Sequence, residues 1–273
     1  ASSMTLADIK TTLLNGKTYQ LQASGDFNGD GNKDLILRHT ANGRAIVTLM
    51  EGPTILAQGV IATVPVNFVA VGSGDFNNDG FEDILWRNAA GKSFISYMNG
   101  IQELSRSSVF SIATNLVLQG VADYDGDGVA DLLLRAPSGY VYVLLMSTTG
   151  AYLMPVAIAS NNYQIVGVGD YTGDSKNDIL FRNSYSSLIT IFSNPISVNH
   201  ELLTSSNGVA AKQVIQKSGD FDGDGKLDLY ILRGAPYNKI EIYTLVNNVF
   251  SFDFGKDSTV FRLALNLELT SAS

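Results

Sequence analysis

Gly74-Asp75-Phe76-Asn77-Asn78-Asp79-Gly80, followed by Asp83-Ile84-Leu85-Trp86-Arg87, is the stretch on which the fold turns. It returns as Gly25-Asp26-Phe27-Asn28-Gly29-Asp30-Gly31 and as Ala122-Asp123-Tyr124-Asp125-Gly126-Asp127-Gly128, and further copies open at Gly169-Asp170-Tyr171 and Gly219-Asp220-Phe221. The leading aspartates are 49, 48, 47 and 50 residues apart, so one unit has been copied five times with small insertions.

Each copy reads as four short strands. Phe68 to Gly72 is an apolar run leading into the Asp loop, and Asp83 to Arg87 follows it. The turn Asn88-Ala89-Ala90-Gly91 precedes Ser93 to Met98, and a glycine after that admits a fourth, more polar strand. A four-stranded unit of about 40 to 50 residues in tandem is the signature of propeller blades. A β-sandwich also has many short strands, but nothing in it calls for one loop to recur five times. The expectation is an all-β chain, residues 1–273 forming one β-propeller of four-stranded blades, five in number, with a partial sixth blade as the alternative. Thr5 to Leu14 reads as an outer strand and Phe261 to Leu269 as one that opens a blade, so the two ends are expected to pair and close the ring.

Within each copy, oxygen-bearing side chains occupy alternate positions 1, 3 and 5, and an aspartate stands at 9. Hard divalent cations take six to eight oxygens, and a tight loop supplies them from alternating side chains plus a carbonyl at position 7. The candidate ligands in the first loop are Asp26, Asn28, Asp30 and Asp34 with the carbonyl of Asn32, and in the second Asp75, Asn77, Asp79 and Asp83 with that of Phe81. The third offers Asp123, Asp125, Asp127 and Asp131 with Val129, and the fourth Asp170, Thr172, Asp174 and Asp178 with Lys176. The fifth offers Asp220, Asp222, Asp224 and Asp228 with Lys226. An EF-hand would close with glutamate at position 12, where this chain has Leu37, Trp86, Leu134, Phe181 and Ile231 inside strand patterns. The aspartate at position 9 is expected to close the cage instead. Solvated acidic turns would explain the Asp, Asn and Gly content but not that aspartate. The loops hold seventeen aspartates out of the 26 acidic residues, and five Ca²⁺ ions would turn the net charge from −8 to +2. By ligand charge, the third and fifth loops should bind most tightly. The fourth should bind most weakly, because Thr172 replaces an acid or amide and Ser175 the turn glycine.

These loops and the strand after them resemble the FG-GAP or VCBS repeat family, whose units read like Gly-Asp-Phe-Asn-Gly-Asp-Gly followed by Asp-Ile-Leu-Trp-Arg-Asn. Gly74 to Asn88 carries the likeness most fully, and it extends from about Tyr19 to Phe254. The resemblance implies a calcium-binding propeller similar to the integrin α-subunit head, although such heads have seven blades.

An arginine recurs after the second strand, at Arg38, Arg87, Arg135, Arg182 and Arg233, and its repetition points to a bond between blades. The aromatics at position 2 (Phe27, Phe76, Tyr124, Tyr171 and Phe221) are expected to pack there as well. The only histidines, His39 and His200, lie in unrelated contexts, and no H-E-x-x-H, G-x-S-x-G or Walker pattern is present, so no enzyme is expected. A net charge of −8 without basic stripes argues against nucleic acid as a partner. No apolar run is long enough for a membrane span, and no cysteine offers a disulfide. Ala1 in place of an initiator methionine fits a mature exported chain. The expected role is a secreted or cell-surface binding and adhesion module for a protein or glycan ligand. The alternatives are a lectin, or a structural subunit of an extracellular assembly that self-associates through propeller faces or terminal strands.

Overall fold

A computed structural model of the chain describes residues 12–14, 17–39, 41–61, 63–147, 150–158, 162–185, 189–193, 195, 201–204, 213–220, 224–233, 239–246 and 249–252. These residues form strands and turns without a helix, so none is long and apolar enough to cross a membrane.

The strands pair antiparallel into successive sheets. The first holds β1 (Thr12–Leu14), β2 (Lys17–Gly25), β3 (Asp34–His39), β4 (Ala45–Glu51) and β5 (Thr54–Val60). The second holds β6 (Phe68–Gly74), β7 (Asp83–Asn88), β8 (Lys92–Asn99), β9 (Gln102–Arg106) and β10 (Phe110–Ser111). The third runs through β11 (Val117–Ala122), β12 (Asp131–Arg135), β13 (Tyr140–Ser147) and β14 (Gly150–Ile158), and the fourth through β15 (Tyr163–Gly169), β16 (Asp178–Asn183), β17 (Ile189–Ser193) and β18 (Glu201–Thr204). A further sheet joins β19 (Gln213–Gly219), β20 (Asp228–Arg233), β21 (Lys239–Val246) and β22 (Val249–Phe252). The architecture is an all-β propeller.

Second strands are buried on both faces, which is why they read as unbroken apolar runs: Leu132, Leu133 and Leu134 are all fully buried, as are Ile84, Leu85 and Trp86. The first strands β11 and β15 are only half-buried, and first strands contact one another in chain order, β2 to β6 to β11 to β15 to β19, placing them toward the axis. Each carries a register shift at the same place, between Leu21 and Ala23, Ala70 and Gly72, Leu118 and Gly120, Ile165 and Gly167, and Ile215 and Lys217. Such bulges bend and twist a strand, and here they recur with the repeat.

Hydrophobic cores lie between sheets. Phe27 and Val47 from the first sheet's segment meet Ile84, Trp86 and Phe94 of the second. Phe76 and Leu85 meet Leu132 and Leu134, and Tyr124 and Leu133 meet Ile179 and Phe181. Phe27, Phe76 and Tyr124 therefore do fill inter-blade space; Tyr171 is fully buried, and Phe221 lies outside the described residues. These cores unite four sheets, and the described propeller has four packed blades. That corrects the expectation of five blades, or six with a partial one. The last sheet is described mainly by its backbone pairing, because most of its side chains are not among those described.

Two further expectations change. The first two sheets have five strands rather than four. In the second, the outer strand is interrupted at Ser107, whose hydroxyl accepts from the Ile95 N–H at 2.9 Å, and β10 then resumes the pairing with β8. In the first, Thr12–Leu14 pairs with β2, so it lies at the inner edge rather than in an outer-strand position. Phe261 to Leu269 and His200 lie outside the described residues.

Candidate metal centres

Each Asp loop joins the first strand of a blade to the second, and the position-1 aspartate folds it. Asp26 accepts from the N–H groups of Gly29 at 2.7 Å and Gly31 at 2.8 Å, and Asp123 accepts from Gly126 at 2.6 Å and Gly128 at 2.9 Å. Asp75 takes the Gly80 N–H, Asp170 those of Gly173 and Ser175, and Asp220 that of Gly225. This curls the chain round the carboxylate and requires a left-handed residue at position 6. Glycine supplies it in four loops; Ser175 adopts a φ of 67° in the fourth and carries the strain that a side chain brings there.

At position 5, Asp30, Asp79, Asp127, Asp174 and Asp224 are exposed and accept the N–H of position 7, from Asn32, Phe81, Val129, Lys176 and Lys226 respectively. At position 3, the amides of Asn28 and Asn77 donate to Asp30 and Asp79, each at 2.9 Å. The bond from Asn28 holds the Asp30 carboxyl below its ordinary range. Asp222 lies outside the described residues.

The aspartate at position 9 does more than the spacing foretold. Asp34, Asp83, Asp131 and Asp178 are fully buried, and Asp228 nearly so. One carboxylate oxygen accepts the N–H of the position-2 aromatic, at 2.9 Å from Phe27, 3.0 Å from Phe76, and 2.9 Å from Tyr124 and Tyr171. In three blades the other oxygen accepts an N–H from the third strand, at 2.8 Å from Met50, Met98 and Met146. One side chain thus pins the loop and two strands. Burial, assisted by the neighbouring aspartates, pushes the Asp83 and Asp131 carboxyls up to about 7 and raises Asp34 as well.

The third loop draws its carboxylates closest: one oxygen from each of Asp123, Asp125 and Asp131 lies within 4.8 Å of the others. Among the described residues it is the one acidic group so gathered. In the fourth loop, the Thr172 hydroxyl oxygen is buried without a hydrogen-bond partner. Three convergent carboxylates at the third loop and an orphaned hydroxyl at position 3 of the fourth are donor sets that fit a hard, oxygen-seeking cation.

The loops are also tied to one another. The position-8 N–H of one loop donates to the position-1 carbonyl of the loop before it: Glu82 to Asp26 at 2.8 Å, Ala130 to Asp75 at 2.6 Å, Asn177 to Asp123 and Leu227 to Asp170, both at 3.0 Å. Sequence reasoning missed this chain of bonds. Position 8 holds Lys33, Glu82, Ala130, Asn177 and Leu227, and a main-chain bond leaves no mark on side-chain identity. At the opposite end of the blades, Arg38 donates to the carbonyls of Val64 and Pro65, Arg87 to those of Ile112, Ala113 and Leu116, and Arg135 to that of Tyr163. Each acceptor lies in the link to the next sheet, or at its first strand. At Arg38, Arg87 and Arg135 the recurring arginine is an inter-blade brace.

A family model for the FG-GAP-like repeat matches residues 26–86, and one for the FG-GAP repeat matches 67–110 and 120–144. No curated protein matches the chain by sequence. Among solved structures, the Cps50 (Swd1) β-propeller domain of Myceliophteria thermophila is 10% identical, with 90% of this chain and 76% of that chain covered and a TM-score of 0.49. A chain of the crystal structure of BBS1N in complex with ARL6DN is 9% identical, with 89% and 68% covered and a TM-score of 0.45.

Proposed function

We propose that the chain, whose residues 26–110 and 120–144 match FG-GAP-like and FG-GAP repeat models, is a calcium-stabilised extracellular propeller acting as a binding or adhesion module for a protein or glycan. The observation that carries the calcium reading is the convergence of Asp123, Asp125 and Asp131 in a loop whose pattern recurs along the chain. Asp26, Asp75, Asp170 and Asp220 would hold the ion in the other loops, with their position-5 and position-9 partners. When bound, the ion would supply charge neutralisation where half-buried carboxylates gather beside one buried aspartate. Calcium loops of the EF-hand type in extracellular modules bind at about 10⁻⁴–10⁻³ M, and loops with a similar oxygen count are expected to fall in that range.

A binding role follows from rigidity. Loops pinned by buried aspartates and chained by main-chain bonds give a fixed platform on which a partner can be recognised with little ordering cost. No catalytic constellation enters this reading; the aspartates are committed to backbone N–H groups.

Calorimetric titration of the metal-free protein with CaCl₂ tests the proposal. Several sites should appear, the third and fifth loops binding most tightly and the fourth most weakly; Asp125→Ala should remove one of the strongest. Absence of heat above dilution would sink the calcium reading. Self-association is the second reading, favoured by the exposed Ile55 and Leu56 on the sheet-edge strand β5. A mass by light scattering that rises with protein concentration would support it, and a constant monomer mass would end it.

A further inference from the structure

The two ends of the propeller differ in charge. The Gly100 N–H donates to the Phe27 carbonyl at 2.7 Å, so the turns between third and fourth strands sit at the Asp-loop end. The arginine bonds to Ile112 and Ala113 place the links between sheets at the other end, beside the turns between second and third strands. Every aspartate and glutamate whose side chain is described belongs to the Asp loops, to the turn at Glu51, or to Glu103 near the start of β9, all at the first end. At the second end, the described segments 39, 41–45, 61, 63–69, 87–92, 107–117, 135–140 and 182–185 contain no acid. They do contain exposed Arg44 and Lys92 and the half-buried Arg87.

Large apolar side chains are exposed toward both ends among the described residues: Ile55, Leu56, Leu104, Tyr152 and Leu153 on outer strands toward the Asp loops, and a second set at the acid-free end. Val66 is 69% exposed, Val109 60%, Val117 56% and Tyr185 81%, and all four lie in links or turns or at a strand's first residue. Isolated exposed valines need no explanation, but a set of them at one end among cations, with acids excluded, does. An acidic protein would match the charge, yet its carboxylates would not match valines at the loop tips. An anionic lipid surface matches all three features. Its headgroups accept Arg and Lys, its interface takes short apolar side chains and the amphipathic tyrosine ring, and it repels a face that carries carboxylates.

We propose that the acid-free end of the propeller docks on an anionic lipid surface, with Val66, Val109, Val117 and Tyr185 entering the interface and Arg44 and Lys92 meeting the headgroups. The Asp loops then point away from the membrane, toward any ligand. This inference needs neither calcium nor a ligand, since the residues that would meet the membrane lie outside the Asp loops.

Co-sedimentation of the whole chain with phosphatidylcholine vesicles, with and without phosphatidylglycerol, tests it. The protein should pellet with the anionic vesicles only, and less as salt is raised. Arg44→Glu should weaken partitioning about 25-fold, because each unit of charge near such a surface contributes about fivefold and the reversal changes two. Val109→Asp and Val66→Asp should each weaken it further, while Leu104→Asp, on the exposed edge strand β9, should bind as the unaltered chain does. Circular dichroism of each variant checks that it is folded. No dependence on phosphatidylglycerol, or equal losses from Leu104→Asp and Val109→Asp, would overturn the proposal. Binding to polyglutamate without binding to vesicles would also overturn it and assign the face to an acidic protein.

Discussion

Asp131 illustrates how one residue can serve two purposes. Its oxygens accept the N–H groups of Tyr124 and Met146 while it stands beside Asp123 and Asp125. Replacing it by alanine leaves two buried donors unsatisfied, at about 1–3 kcal/mol each, so Asp131→Ala should lose about 2–6 kcal/mol in urea unfolding even without metal. The pH response of the metal-free protein has a definite sign. Asp83 and Asp131 bind protons in the folded state up to about pH 7, whereas an unfolded aspartate releases its proton near about 3.9. The folded state therefore holds more protons across that window, and their contribution falls as pH rises through it. In chelator, the urea midpoint should be higher at about pH 5 than at about pH 8, and saturating calcium should reverse the order by favouring the charged carboxylates. The spacing of Asp131 from Asp123 is legible in the sequence. Its bond to Met146 is not, because it depends on a strand pairing fifteen residues away that no local pattern encodes.

Strands and turns were largely legible. Repetition exposed the unit, and period and glycine placement divided it, so that Asp83 to Arg87 lies within β7 (Asp83–Asn88). The interrupted outer strand of the second sheet was not, because Ser107 joins the ladder through its hydroxyl rather than in an apolar pattern. Nor were the bulges at Leu21, Ala70, Leu118, Ile165 and Ile215, which are set by register against the neighbouring strand. At this scale the arginine brace makes a prediction. Arg87 donates to three carbonyls of the link between the second and third sheets, and hydrogen bonds to charged groups contribute about 1.5–3 kcal/mol, so Arg87→Met should cost at least that much. It should also raise amide exchange in residues 112–116 before it affects the Asp loops. Unchanged exchange there would remove the brace from the account.

For the molecule as a whole, five similar loops suggested five equal blades, but a repeat count does not say how many sheets share a packed core. Cores between sheets depend on which side chains meet across them: Phe27 with Trp86's sheet, Phe76 with Leu132, and Tyr124 with Phe181. The central claim is that the Asp loops hold calcium and that this holds the blades together. It is tested most directly by thermal unfolding of the chelated protein with and without added calcium, paired with elemental analysis of the protein as purified. At a hundredfold excess over the dissociation constant, one site adds about 2.7 kcal/mol, so the melting temperature should rise by about 5–10 °C per occupied site. Calcium should also be found bound before chelation. An unchanged melting temperature, together with no bound alkaline-earth ion, would contradict the account.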